Sequence, residues 1–438
     1  MRKAIKDILT SLSQRDIEAL QSIYLHRCLT EEQLYQLHYN KALPEEKVSS
    51  HKWVKRKVRQ LLKLGLIEEV EYISKKNLTE NSYVYFLTSL GIELIRYCLD
   101  LPTNIYDKKK RIVKRGYYTA SELKIYPKNI NHQIHINEFV LNFQKQTDDL
   151  TWKYYDEKFM SQFTNIRPDG MLSMLDTDFF IEMDMATESK KQLYEKWENY
   201  RNFFLSREYL YKEKKIIVLF ICEGTTRIEE RIDLVKHTLF ERLMDILDKD
   251  IEFYIGSSEA ILSLLKNRLI PQLKGEKQST PNLLEQHGFR VANGRVLQSV
   301  IPKVEFTWYI QKTTNTGQIV VEGNQIQEFL VDDFIQSPIS VFSKISYLDK
   351  HSMFFRDAYG RSISYVIVGQ SEEELYKEIK LMDLIGVPNV YYSTHERLSN
   401  RSFGEALFQF DYIGNLHHFT NNELSAQVFE KNMQKTTE

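Results

Sequence analysis

Apolar positions near the N-terminus recur at helical spacing. Ile17, Leu20, Ile23 and Tyr24 predict one helix, and Leu34 and Leu37 a short second one. The run Thr30-Glu31-Glu32-Gln33 supplies a capping box at the start of that second helix. A loop holding Pro44 separates it from a third helix, about Ser50 to Leu64, which Gly65 stops. The period then changes. Leu66 to Ile73 alternates in part as a strand does, the polar stretch Ser74 to Ser82 turns the chain, and Tyr83-Val84-Tyr85-Phe86-Leu87 returns as a second strand. Thr88 opens a closing helix through Ile92 and Ile95. Helix, helix, helix, hairpin, helix is the order of a winged helix, expected over residues 10–104.

A polar, basic stretch at 105–128, with Lys108-Lys109-Lys110-Arg111 and Lys114-Arg115-Gly116, is expected to link this module to the next. From Asn131 a helix carries Ile134, Ile136, Phe139, Val140 and Phe143; strands follow in 151–186, then a helix over 188–206. Ile216 to Ile221 is a continuous apolar run of the kind buried in parallel sheets. Helices and strands then alternate to about residue 270, so an α/β domain is expected over 129–272. A second linker near 273–281 precedes a C-terminal α/β domain at 281–438, whose role the pattern leaves open. Strand–helix–strand patterns occur at 216–255 and again at 365–392 without a residue-level repeat. The fold class expected is therefore α/β and α+β, multidomain.

Charge changes the picture of the third helix. At about 100° per residue, Lys52, Arg56, Arg59 and Lys63 share one stripe, opposite Val54, Val58, Leu61 and Leu62. Trp53 and Lys55 flank it, and no acidic residue lies between Ser50 and Leu64. Such a helix fits the major groove of duplex DNA, with Arg able to pair with guanine edges or phosphate. Lys75 and Lys76 at the wing tip would reach neighbouring phosphates. A solvated charged face, or a winged helix used for protein contacts, fits the same pattern. Lys108 to Arg115 serves equally as a phosphate contact or as a solvated linker.

Acidic residues mark the central domain. Arg167-Pro168-Asp169-Gly170 is followed, after a segment long enough for a strand and a turn, by Phe179-Phe180-Ile181-Glu182-Met183-Asp184-Met185. In a strand Glu182 and Asp184 share one face, with Ile181, Met183 and Met185 on the other. A hairpin would bring Asp169 beside Glu182, and converging carboxylates suit Mg²⁺, which can activate water and offset phosphate charge. Lys196, beside the packing stripe Leu193, Trp197, Tyr200 and Phe204, could lean toward these acids. An ordinary Pro-Asp-Gly turn and a solvated strand face are the plainer alternatives. His132 and His135 either lie on a helix surface or border the acidic site.

Arg167-Pro168-Asp169-Gly170, then Ile181-Glu182-Met183-Asp184 with Ala186-Thr187-Glu188, then Glu195-Lys196-Trp197-Glu198-Asn199-Tyr200 resembles the replication-relaxation family of plasmid and mobile-element proteins, over roughly residues 10–260. The resemblance implies a winged helix followed by a PD-(D/E)xK nuclease-like, restriction-endonuclease-like core, and DNA binding in replication, relaxation or mobilisation. It would make Asp169 and Glu182 metal ligands, with Asp184 beside them and Lys196 in the place of the lysine that the pattern sets two residues after the second acid, where this chain has Asp184. The catalytic set so implied is Asp169, Glu182, Asp184 and Lys196, with Mg²⁺ on the three acids. A non-enzymatic regulator, or a replication or relaxase accessory factor with an inactive core used for dimerisation or docking, is the rival.

Composition narrows the rest. With 438 residues, 42% of them apolar, the chain can form two or three cores. A formal net charge of −1 confines any nucleic-acid contact to local patches. Cys28, Cys98 and Cys222 are too scattered for a cysteine zinc site or a disulfide framework. Walker A, G-x-G-x-x-G and G-x-S-x-G motifs and an H-x-H cluster are lacking, which leaves nucleotide hydrolysis, serine chemistry and relaxase chemistry without support. The polar start and the lack of an apolar run of about 18 residues suggest a cytoplasmic protein without a membrane span. The partners expected are double-stranded DNA, a relaxase or replication protein, and a second copy of the chain.

Overall fold

The structure, a computed structural model, describes residues 2–39, 51–72, 82–106, 110–147, 150–210, 212–224, 226–246, 251–275, 279–297, 304–314, 316–322, 325–334, 338–359, 364–411 and 413–418. The chain forms two compact units, Met1–Gln162 with Pro168–Met174, and Phe163–Arg167 with Leu175–Glu438. Both mix helices and sheets, as the fold class expected.

In the first unit, α1 (Gln14–His26) begins at Ser13, whose hydroxyl accepts from the Asp16 backbone N–H while the Asp16 carboxylate accepts from that of Ser13. Strand β1 (Leu29–Thr30) leads to α2 (Glu31–Leu34), and the capping box expected at Thr30 and Gln33 forms. Then come α3 (His51–Lys63), β2 (Ile67–Tyr72), β3 (Ser82–Leu87) and α4 (Ser89–Cys98). Gly65, at φ 67°, takes the left-handed conformation that ends α3. Strands β2 and β3 pair antiparallel from Ile67↔Leu87 to Tyr72↔Ser82, and β1 adds to the far edge of β3. Ala19, Leu20 and Ile23 of α1, Leu34 of α2, Val54, Val58 and Leu61 of α3, and Ile92, Leu94 and Ile95 of α4 share one core. That core requires one apolar face from each helix, which is why the 3.6-residue period is so clear here.

A ribbon of β4 (Asn104–Tyr106) and β5 (Ile112–Arg115) follows, within the stretch expected as a linker. Helix α5 (Ile130–Gln146) comes next, then the antiparallel pair β6 (Trp152–Asp156) and β7 (Gly170–Met174). Buried amides tie α5 to the N-terminal elements. The Asn137 side chain donates to the Cys28 carbonyl at 2.6 Å, Gln133 donates to Asn137 at 3.0 Å, and Gln33 donates to the Ile134 carbonyl at 3.0 Å. Ile130 packs with Cys28, Val84 and Phe86 in a second small core.

The second unit contains the same succession twice. Strand β8 (Thr177–Asp184), α6 (Lys190–Phe204), β9 (Lys215–Cys222), α7 (Ile228–Leu243), β10 (Ile251–Gly256) and α8 (Ser258–Leu264) make a βαβαβα array with β8, β9 and β10 parallel in that order. After α9 (Ser279–Gln286) and the antiparallel pair β11 (Phe289–Asn293) and β12 (Trp308–Lys312), a second array begins. It comprises β13 (Glu328–Asp333), α10 (Pro338–Tyr359), β14 (Ser364–Gly369), α11 (Glu372–Leu381), β15 (Val390–Thr394) and α12 (His395–Asn400), with β13, β14 and β15 again parallel and in order. Strands β16 (Phe408–Phe410) and β17 (Leu416–His418) extend that sheet antiparallel. Trp197 of α6 lies against Phe220 of β9 and Phe253 of β10, and its indole N–H donates to Thr238 of α7, so α6 and α7 both cover the first array's sheet. Among the described residues no helix is long and apolar enough to cross a membrane.

Candidate nucleic-acid interface and central acidic cluster

The pattern of α3 is realised side chain by side chain. Val54, Val58 and Leu61 are buried, whereas Lys52, Lys55, Arg56, Arg59 and Lys63 are exposed. Lys57, one turn before Leu61, instead turns inward to the buried Asp16 at 2.9 Å and lies over the Trp53 ring. Burial alone would raise the Asp16 carboxyl, but hydrogen bonds from Lys57 and Ser13 hold it below its ordinary value. The pair pins α3 to α1, and Trp53 meets Tyr39 edge-on at 4.8 Å. The helix is thus fixed on one side and charged on the other.

Its charged side is not uniform. A groove of about 590 Å³ runs along one flank, lined by Lys55 and Arg59 of α3, Glu31 and Glu32 of α2, Glu69 of β2, and Tyr83 and Tyr85 of β3. Carboxylates there offset Lys55 and Arg59. Burial, with Glu31 and Glu69 nearby, pushes the Tyr85 hydroxyl up to about 12. At about 100° per residue, Lys52, Lys63 and Arg56 follow Arg59 around the helix, each further from this flank than the last. Lys75 and Lys76 lie outside the described residues.

The acidic cluster is built where β8 ends. Glu182 and Asp184 share a strand face, as the two-residue period requires, and both are buried. Ile181, Met183 and Met185 on the other face are buried too. Helix α6, capped by Ser189 with Gln192, carries Lys196 and Tyr200 to Glu182: the ammonium donates to Oε2 at 3.0 Å and the phenol to Oε1 at 2.6 Å. Lys196 also reaches Glu188 at 2.9 Å. Asp184 is held by Arg231 of α7, whose Nε and Nη2 donate to its two oxygens at 2.5 and 3.0 Å while Nη1 donates to the Glu188 carbonyl. The Ala186 backbone N–H adds a further bond to Asp184 at 3.0 Å. Asp169 belongs to the first unit, where its carboxylate lies 3.3 Å from His132 Nε2.

The sequence pattern anticipated that Lys196 leans on the strand acids. It missed Arg231, Glu188 and the hydroxyl role of Tyr200. Arg231 left a trace: it sits in the inward stripe of α7 with Ile232, Val235 and Leu239, where an arginine needs an anion. Chemically, Glu182 and Asp184 present their oxygens to a lysine, a phenol and a guanidinium fork. That donor set is an ion-pair network. Among the described residues no group of three or more His, Cys, Asp or Glu side chains is arranged to hold a metal.

Residues 20–219 match the model of a family described as replication-relaxation. This span runs from within α1 to within β9, so it takes in the basic face of α3, Asp169, Glu182, Asp184 and Lys196, and ends before Arg231. The resemblance carried by the Arg167–Gly170, Ile181–Glu188 and Glu195–Tyr200 blocks is borne out. No curated protein and no solved structure matches the chain.

Proposed function

We propose that this protein, similar to the replication-relaxation family over residues 20–219, binds duplex DNA of a plasmid or other mobile element and acts in its replication, relaxation or mobilisation. Residues 10–104 are read as a winged helix, with α3 as the helix that enters the major groove and Lys52, Arg56 and Lys63 as its leading contacts. The observation that carries this reading is the single-signed, solvent-facing side of α3, anchored from behind by Val54, Val58, Leu61 and the Lys57–Asp16 pair. The acids of the neighbouring groove confine the footprint to the side away from Glu69, because carboxylates facing phosphates would cost binding energy.

For residues 129–272 we propose a nuclease-like fold that serves as a scaffold for DNA or for a relaxase or replication partner. The observation favouring a scaffold over a cutting enzyme is the guanidinium fork on Asp184, together with the Lys196 and Tyr200 bonds on Glu182. Glu182 and Asp184, which would ligate Mg²⁺ or take a proton from water, are each engaged by internal donors.

Duplex binding measured by fluorescence anisotropy tests the first reading. Arg56→Ala with Arg59→Ala is expected to weaken binding and to lower the salt slope by about 1, the unit for the phosphate that Arg56 no longer neutralises, since the groove acids already offset Arg59. Unchanged affinity and slope would remove the docking helix. Supercoiled plasmid incubated with Mg²⁺ or Mn²⁺ tests the second: no nicked product is expected, and nicking that disappears in Glu182→Ala would replace the scaffold with an enzyme.

A further inference from the structure

The stretch between the N-terminal core and α5 has a surface that ordinary linkers lack. Strands β4 and β5 pair Asn104↔Arg115, Ile105↔Lys114 and Tyr106↔Ile112, with an irregularity between Ile105 and Tyr106. Its large apolar side chains face water: Ile105 is 39%, Tyr106 57% and Ile112 61% exposed. Cations stand among them. Lys110 and Arg111, just before β5, and Arg115, at its end, are exposed.

The root of this ribbon is fixed. Arg96 of α4 donates to Thr103 at 3.2 Å and lies over the Tyr117 ring at 3.7 Å. Gly116 sits so close to Pro102 that a Cβ there would meet its carbonyl oxygen at 2.2 Å. Arg115 is paired with Glu122 at 2.8 Å. The ribbon therefore springs from α4, which shares its core with α3.

We propose that the β4–β5 ribbon is a second DNA-binding element, which lays Lys110 and Arg111 on backbone phosphates and presses Tyr106 and Ile112 into a groove of the duplex. This rests on the DNA-binding reading of α3. Exposed apolar side chains interleaved with cations need a surface that offers both anions and apolar faces. A duplex does: a two-stranded ribbon fits the major groove, and apolar side chains can wedge between base steps in the minor groove. Continuity with the core that carries α3 favours DNA over an anionic membrane, which offers the same pairing of charge and apolar depth.

The test uses the full chain, a labelled mixed-sequence DNA duplex and a salt titration. Lys110→Ala/Arg111→Ala/Ile112→Ser, all at exposed positions, should leave the thermal unfolding midpoint unchanged. It should weaken binding on the order of tenfold and lower the salt slope by about 2. Tyr106→Ala alone should weaken binding with the slope unchanged, since it removes no charge. If the triple variant binds like wild type while the Arg56/Arg59 variant does not, the ribbon proposal falls and the α3 reading stands. If both bind like wild type, both fall. Wild-type protein that sediments with phosphatidylserine vesicles, where the triple variant does not and still binds DNA as before, would also overturn the proposal and make the ribbon a membrane contact.

Discussion

The two βαβαβα arrays of the second unit each set a carboxylate on their first parallel strand and grip it with a lysine from the next helix. In the first array Glu182 meets Lys196, and in the second Asp332 meets Lys344 at 2.7 Å. Both lysines occupy the seventh position of their helices, counted from Lys190 and Pro338. A tyrosine completes each pair, Tyr200 from α6 and Tyr365 from β14. The surroundings differ. Asp332 and Lys344 have side chains 0% exposed, and four donors converge on the carboxylate: the Thr307 backbone N–H and hydroxyl, Lys344 and Tyr365. Lys196 keeps 21% of its side chain exposed and divides itself between Glu182 and Glu188. One arrangement thus serves two purposes. Sealed, it is an internal fastening whose loss would leave an unpaired charge; partly wetted, it is a weaker tie that solvent screens.

The sharpest way to break this contrast is Lys344→Met. It strands the Asp332 carboxylate in the interior, and urea unfolding should show a loss of about 3–5 kcal/mol, the cost of breaking a buried pair from one side. Adding Asp332→Asn should recover part of that loss. Next comes Arg231→Met in the first array, expected to cost about 3 kcal/mol, because Asp184 is buried and retains the Ala186 N–H as a donor. The smallest effect is expected for Lys196→Met, about 1 kcal/mol, since Tyr200 still donates to Glu182 and solvent screens the exposed ammonium. Equal losses for Lys196→Met and Lys344→Met would dissolve the distinction between rim and interior.

The sequence pattern disclosed most where a helix buries one face and wets the other. The stripes of α1 and α3, the capping box of α2 and the stop at Gly65 all follow local rules. Lys196 was legible because it lies only 14 residues from Glu182, on the helix that follows the acid strand. Arg231 was not, because it comes from a different helix 47 residues beyond Asp184. The second array's pair was hidden for another reason. Helix α10 buries Ile339, Ser340, Val341, Phe342, Ser343, Lys344, Ile345 and Ser346 in succession, so over that stretch it shows no wet face to mark its period. In the β4–β5 ribbon the difficulty was reversed: strands of three and four residues, with their apolar side chains turned outward, resemble a linker.

The buried amides of α5 have a practical consequence. A fragment ending at residue 128 would keep the basic face of α3 but lose Asn137 from the Cys28 carbonyl and Ile130 from its seat beside Val84 and Phe86. What remained would present a raw apolar scar on the back of β3, and such a piece invites self-association that mimics cooperative DNA binding. Excision after residue 147 keeps that seam closed, and the same seam makes any tug on α5 felt within two residues of β1.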